Sequence, residues 1–600
     1  MTTTHPYRRG SLAALTLAVA ANLYAGPAVA APFADHIYVN GVVYTVDASD
    51  SVQQAVAIRD GRIMAVGSDA QIRALAGPAT RTVDLAGKMM LPGLVDAHLH
   101  PLGGGALLRS CSLAYESLDT QAIGERIRQC LTAQPLPAGA WLQVQAWFRQ
   151  GMPAGTDLSA AVLDSIEPTR PVIVVSSDHH TLAANSAAMR AAKLSAATVA
   201  PSNGKILRLP DGRPSGIFED GAMENVMQAM PPLPAAAAQA QRRDYALAAL
   251  SALNTQGVTT FLDAAADPHS LQTFTALRAE GKLTARAHFA PVITPDQASH
   301  PEQAAANVGK LAKRYHQPRV DGQPDIRLTT AKIFMDGVIQ APAQTAALHA
   351  PYLHNHGSDA TPDWRAGDKR GELYFDQVKL DQLVLALAHR QLTPHLHTDG
   401  DQAVTVALNA VEKLRKVYPN STLRPALAHN ELVRPADYPR YRQLNALPIL
   451  SFQWGKPAAD TLDTVKPYIG HERYPYLETA GKFQQAGATI AFGSDWPVDP
   501  LNEWFALQIA VTRANPGEAD RYPGRLGDDP GLTVPQAIRA FTYNAAYSLG
   551  REKDIGSIEA GKWADLIVLD RNLLQIPATD IQQVKVLSTV LAGKEVYRQP

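Results

Sequence analysis

Short apolar runs, most of them closing on a polar residue, alternate along the middle of this chain with stretches whose apolar residues recur at helical spacing. The first run, Leu91-Pro-Gly-Leu-Val-Asp-Ala-His-Leu-His100, reads as a buried strand entered from a Pro-Gly turn. Further strand-like runs cover 257–263, 285–290, 326–334, 392–397, 425–429, 447–452 and 488–492, eight in all. Helical patterns cover 380–389, 403–417 and 534–546. Eight alternating β/α units predict an α/β protein built on a (β/α)8 TIM-like barrel.

The two chain ends follow a different period. Residues 36–46 predict a hairpin around Asn40-Gly41, and 55–67 a second one around Asp60-Gly61. The pattern returns at 556–569 and 584–596. Isolated hairpins are not stable alone, so both ends are expected to complete one small β-sandwich. The stretch between the first barrel strand and Gly257 is far longer than one β/α unit needs, and it carries its own strand signals at 171–175 and 215–220. It predicts an inserted subdomain over the barrel mouth, of the kind that is usually functional. The expected organisation is a signal peptide over 1–30, a composite sandwich of 31–90 and 551–600, and the barrel over 91–550 with the insertion at about 113–250.

The signal peptide rests on Arg8-Arg9, a short Ala-rich apolar stretch and the A-x-A site Ala28-Val-Ala30. No other run is apolar enough to span a bilayer, so a periplasmic or secreted protein is expected, with no stable membrane anchor after cleavage. The net charge of −1 over 600 residues offers nothing to hold a phosphate backbone, which excludes nucleic acid as a partner. The expected partner is a small-molecule substrate, and a homodimer is left open. Cys111 and Cys130 either close a short loop as a disulfide or are two buried thiols; in an oxidising compartment the disulfide is expected.

The chemistry gathers where the strands end. Side chains alternate along a strand, so His98 and His100 project to one side with Leu99 behind them, half of a site for a zinc-like ion. Lys332, His397, His429 and Asp495 close later runs. His395 shares a face with His397 and offers a competing ligand. Each alone has an ordinary structural role; together at the strand ends of one barrel they point to a metal centre.

The motifs Pro92-Gly-Leu-Val-Asp-Ala-His-Leu-His100, Asp178-His-His-Thr-Leu-Ala-Ala-Asn-Ser186, Ala331-Lys-Ile-Phe-Met-Asp-Gly337, His397-Thr-Asp-Gly-Asp401, His429-Asn-Glu-Leu-Val433 and Gly493-Ser-Asp-Trp-Pro-Val498 resemble the metal-dependent amidohydrolase superfamily, in the amidohydrolase 3 branch that includes N-substituted formamide deformylase. The resemblance covers nearly all of the chain after the first thirty residues. It implies one or two divalent metal ions, zinc first among them. His98, His100 and Asp495 would bind one ion, and His397 and His429 the other. Lys332 would carry a carboxylate group bridging the two. Asp495 would also act as general base, and either His179 or His180, with His180 preferred, would steady the oxyanion. Asn185 and Trp496 are expected at the substrate. The implied reaction is hydrolysis of a C–N bond in an amide, formamide or cyclic amide. Ester or lactone hydrolysis, deamination, or an idle metal-binding site are the alternatives.

Overall fold

The computed structural model describes residues 1–2, 33–133, 139–201, 203–317, 323–358 and 360–600. Residues 3–30 of the expected signal peptide lie outside them. Among the described residues no helix is long and apolar enough to cross a membrane.

Every apolar run of the middle region forms a strand. In chain order these are β1 (Leu94–Leu99), β2 (Val258–Ala266), β3 (Arg286–Pro291), β4 (Thr330–Phe334), β5 (Thr393–Thr398), β6 (Ala426–His429), β7 (Leu447–Leu450) and β8 (Ala491–Phe492). β2 lies parallel to both β1 and β3, and β4 to β8 form a second run of parallel neighbours. Backbone hydrogen bonds join the two runs at both margins. On one side Ile293 N–H donates to Lys332 O at 2.9 Å; on the other Asp495 N–H donates to His98 O at 2.7 Å and His100 N–H to Trp496 O at 2.8 Å. The architecture is a TIM-like barrel.

Parallel strands covered on both faces read as continuous apolar runs, and β1 and β3 are buried at every residue. The outer helices are amphipathic in the ordinary way. Asp401–Val417 buries Val404, Ala407, Leu408, Val411 and Leu414 on one stripe against the barrel. The helix expected over 534–546 is two, Val534–Phe541 and Tyr543–Ser548, broken at Thr542 (φ −129°, ψ −90°).

The chain ends build two sheets. One is four-stranded: Arg62–Gly67, Ala55–Arg59, Ala34–Val39, Ala76–Asp84. The other is six-stranded and takes Val42–Tyr44, Val52–Gln53 and Met89–Pro92 from the N-terminal side and Leu566–Leu569, Val586–Leu591 and Lys594–Arg598 from the C-terminal side. Tyr38, Val56 and Ile63 of the first sheet pack in one core with Val43, Met90, Leu566 and Val590 of the second. The Asp60-Gly61 hairpin forms as expected, with Arg59 opposite Arg62. The hairpin around Asn40-Gly41 does not. Asn40 turns through a left-handed conformation (φ 57°) and the chain changes sheet there, so that Val42–Tyr44 pairs in parallel with Met89–Met90. That pairing buries Val43 and Met90 completely between the sheets, which a local hairpin with Ala34–Val39 would not.

Between β1 and β2 the chain forms a mixed six-stranded sheet from Cys111–Ser112, Leu142–Trp147, Val172–Ser176, Thr181–Ala184, Gly204–Arg208 and Pro214–Asp220. One face packs on the helices Thr120–Ala133 and Ala160–Ile166 through Val144, Val172, Ile123, Ile127 and Leu163. The other face turns toward the barrel mouth. Cys111 and Cys130 are joined as a disulfide, tying the edge of this sheet to its covering helix.

Candidate active site

The C-terminal ends of β1, β4, β5, β6 and β8 bring His98, Lys332, His397, His429 and Asp495 together, all at most 5 % exposed. Local sequence explains how two of them get there. Gly493 allows β8 to run against β1, because a Cβ at that position would fall 2.5 Å from the Cβ of His98. His429 (φ 73°) and Asp495 (φ 56°) both adopt left-handed backbone, a conformation that costs free energy for residues other than glycine and recurs at functional sites.

His98 is held from both sides. Its Nδ1 lies 2.8 Å from His395 Nε2, while its Nε2 faces Lys332 Nζ at 3.2 Å and Asp495 Oδ1 at 3.4 Å. His395 therefore orients the His98 ring from behind, and the opposite nitrogen turns toward Lys332 and Asp495. His100 Nε2 lies 3.1 Å from Asp495 Oδ1, and His429 Nδ1 lies 3.8 Å from Asp495 Oδ2. The His429 ring stands between the others, with centroids 4.7 Å from His98 and 4.6 Å from His397. His397 Nε2 has Gly337 O at 3.1 Å and Asp399 Oδ1 at 3.6 Å.

Two groups of donor atoms, His98/His429/Asp495 and His397/Asp399/His429, each converge within 4.8 Å. His429 Nδ1, Asp399 Oδ1 and Asp495 Oδ1 are buried without a hydrogen bond of good geometry among the described residues. Buried polar atoms are rarely left this way, at roughly 1–3 kcal/mol each. Imidazole and carboxylate donors so arranged fit a divalent ion of zinc's class. Burial, reinforced by the neighbouring lysine and histidines, holds His98, His397 and His429 well below the usual imidazole range, so they are neutral and keep the lone pair a ligand needs. Burial also lowers the Lys332 ammonium to about 8, against the pull of Asp495.

The family model for the amidohydrolase family matches residues 81–597. The chain belongs to the amidohydrolase family. This amidohydrolase is 27% identical to the amidohydrolase YtcJ of Bacillus subtilis over 94% of its own length and 99% of that protein. It is 25% identical to the N-substituted formamide deformylase of Arthrobacter pascens over 94% of its own length and 98% of the relative. A metal-dependent hydrolase structure from Pyrococcus horikoshii shares the fold, with a TM-score of 0.67 over 91% of this chain and 99% of that one at 21% identity.

The amidohydrolase's inserted sheet adds a further group. His180 follows the strand Val172–Ser176, and its Nδ1 is 2.6 Å from Asp220 Oδ1. Burial works against the imidazolium, but the Asp220 contact outweighs it and raises the His180 pKa above the ordinary value. The His180 ring lies 5.6 Å from that of His397. His179 lines the same space without such a partner. Asp96 also belongs to the site's frame: it accepts from His98 N–H at 3.1 Å and from Ser494 N–H at 3.0 Å, binding β1 to the turn that carries Asp495.

Two expectations need correction. Asn185 does not reach the site. Its side chain accepts from Val172 N–H and Ala188 N–H and donates to Glu167 O and Arg170 O, so its hydrogen-bonding capacity is spent capping the helix Ser186–Ala191. Trp496 is core, 2 % exposed, beneath the helix Pro101–Leu107, where a Cβ on Gly104 would strike its ring at 2.4 Å. Its neighbours Pro497 and Val498 line the active-site cavity instead. Beside Lys332, the Asp336 carboxylate accepts from the N–H groups of Ala347, Asp399 and Gly400 and so helps to fix the loops around the site.

Asp399, Asp220 and Asp96 were missed as site residues in the sequence. Asp399 carried a signal, since it stands two residues after His397. Asp220 is forty residues from His180 in sequence, and nothing local announces that pairing. The assembled groups form the floor of a cavity of about 600 Å³ between the barrel and the inserted sheet.

Proposed function

We propose that this amidohydrolase cleaves a carbon–nitrogen bond in an amide, formamide or cyclic amide with an activated water molecule. The observation that carries the reading is the convergence of neutral buried imidazoles with Asp495 Oδ1 and His429 Nδ1, atoms without a hydrogen bond of good geometry among the described residues at the strand ends. The name of the Arthrobacter relative supports the C–N bond as the target. His98, His100 and Asp495 would hold one divalent ion and His397 and His429 a second, zinc being the first candidate. A divalent ion so held lowers the pKa of a water toward about 7 and polarises a carbonyl.

The chain's own groups do the rest. Asp495 Oδ1 accepts the proton of the attacking water, and the same carboxyl later returns it to the leaving nitrogen. His180, whose pKa the Asp220 contact raises, donates a hydrogen bond to the carbonyl oxygen as negative charge grows there. Burial of the floor residues keeps bulk water away and strengthens both interactions. Lys332 is the candidate for carboxylation. Its neutral amine would attack carbon dioxide, lose a proton to solvent and become a carbamate, turning a cation that repels metal into an anionic oxygen donor. Burial, which favours the neutral amine, supports this step. The disulfide Cys111–Cys130 supports export to an oxidising compartment.

The test is hydrolysis of a panel of amides, formamides and matched esters by chelator-stripped protein before and after zinc is restored. Zinc-dependent release of amine is expected. Turnover of esters or lactones alone would overturn the bond assignment, and metal binding without any turnover would overturn the enzyme.

A further inference from the structure

We infer that the face of the inserted sheet opposite the metal-site residues is a specificity subsite, and that it takes an uncharged, mainly apolar substituent ending in a hydrogen-bonding group. This rests on the hydrolase reading above and extends it to substrate class. Strand Leu142–Trp147 sends Leu142 and Val144 into the core under the helices. Alternation then turns Gln143 and Gln145 to the other face. Gln143 stands opposite Ile173 on the neighbouring strand, which points Ile173 and Val175 the same way. All four line the cavity whose floor holds His98 and Asp495.

The two glutamines interrupt an apolar wall. Ile173 and Val175 are 1 % and 6 % exposed, and Met223, Met227, Ile293 and Phe334 continue the apolar lining. Neither glutamine amide has a hydrogen-bond partner among the described residues, so both are free to bind a ligand's polar end. The volume, about 600 Å³, falls in the range of small-molecule sites and far exceeds what a formyl or acetyl group fills. Charge narrows the class further. Among the described residues no arginine lines the cavity; its lysine, Lys332, is at the floor beside His98, and His180 is already paired with Asp220, while Glu224 borders the wall. A carboxylate tail at the glutamines would meet no unpaired cation there and one further acid.

The test uses the zinc-loaded enzyme and three matched probes: hexylformamide, its terminal hydroxyl derivative and its terminal carboxylate derivative. The wild-type enzyme is expected to favour the hydroxyl probe, then the plain one, with the carboxylate weakest. In a Gln143→Met, Gln145→Met double variant, KM for the hydroxyl probe should rise roughly three- to tenfold, the scale of a lost neutral hydrogen bond. KM for the plain probe, kcat and Tm should not move. Equal effects on both probes, or none, would overturn the subsite and leave the glutamines as a solubilising edge. If the wild-type enzyme cleaves no formamide, the bond assignment has failed separately; calorimetric binding of the same probes then tests the subsite. A preference for the carboxylate probe in either assay would overturn it.

Discussion

The two ends of the barrel treat buried charge in opposite ways. At the end where the strands begin, Arg286 donates from Nε to Asp565 at 2.7 Å and from Nη1 to Asp325 at 3.1 Å, and Arg551 donates to the other oxygen of Asp325 at 2.7 Å. Asp565 opens the strand Leu566–Leu569 of the six-stranded sheet, so this network bolts the barrel to both chain ends. At the end where the strands finish, Asp495 Oδ1, His429 Nδ1 and Asp399 Oδ1 are equally buried and, among the described residues, have no hydrogen bond of good geometry, only imidazoles nearby. The first end uses its charges to fix structure. The second leaves donor atoms open for a ligand the protein alone does not supply. This is the division expected of a barrel whose chemistry is at the C-terminal ends of its strands.

Substitutions at the two ends should therefore separate activity from stability. Asp495→Asn removes the carboxylate proposed above as the proton acceptor. It should lower kcat by at least about 100-fold, the lower bound for general-base loss, while the melting temperature changes little and part of the metal stays bound. Activity within tenfold of the parent would remove Asp495 from the mechanism and erase the contrast.

Asp325→Asn should do the reverse. It removes the carboxylate that two buried guanidinium groups share, leaving Arg286 with Asp565 and Arg551 with the more exposed Asp554, at a cost of up to about 3–5 kcal/mol. Chemical denaturation measures that loss, and kcat per folded molecule should hold. The pH dependence sharpens the point. Burial alone would raise the Asp325 pKa, but Arg551 and Arg286 outweigh it and hold the carboxyl below its ordinary value. A lowered folded-state pKa contributes stability above the unfolded value, about 3.9, and loses it as pH falls further. The wild-type protein should therefore lose more stability than Asp325→Asn between about pH 5 and about pH 3. Parallel pH profiles would mean the network is not the acid-sensitive element.

Lys332 is where the two styles meet: a buried amine set among histidines with, among the described residues, no carboxylate in salt-bridge contact. Its Nζ is 3.2 Å from His98 Nε2 and 4.5 Å from the centre of the Phe334 ring. As an ammonium it would repel a neighbouring divalent ion, by roughly 4 kcal/mol per unit-charge pair at an effective dielectric near 20. Carboxylation removes that conflict. Lys332→Ala should reduce bound metal from two ions per chain to one or fewer, and a short carboxylic acid should restore part of the activity. A full metal complement in the variant would reject the carbamate.

The sequence and the structure agree where chemistry follows local period. The eight strand runs, the His98/His100 pair and the strand-end positions of Lys332, His397, His429 and Asp495 need only alternation and apolar length to be seen. They part where the deciding contact is distant. Asn40-Gly41 looks like a hairpin turn, but its outcome depends on Met89–Pro92, whose pairing no local signal reveals. Asn185 shares a motif with His180, yet its amide is consumed by capping bonds with Val172, Glu167 and Arg170. Arg286 and Asp565 are 279 residues apart and meet only through the fold.

The smallest effect is expected in the cover over the active end. Cys111 is on the edge strand beside Leu142–Trp147, where it pairs with Val144, between the two glutamines of the cavity wall. Cys130 is on the helix Thr120–Ala133, which packs on the opposite face. The bond closes a short loop, and a loop of this size contributes up to about 3 kcal/mol by restricting the unfolded chain. That stabilisation belongs to the inserted sheet, not to the ion network below the barrel or to the metal-site residues. Cys130→Ala should therefore lower the melting temperature of the cover and raise KM for probes that reach Gln143 and Gln145, with metal content unchanged. Loss of metal in this variant would mean that the cover and the floor of the site fold as one unit. An unchanged melting temperature would mean that packing of Ile123 and Ile127 on Val144 holds the edge strand without the covalent bond.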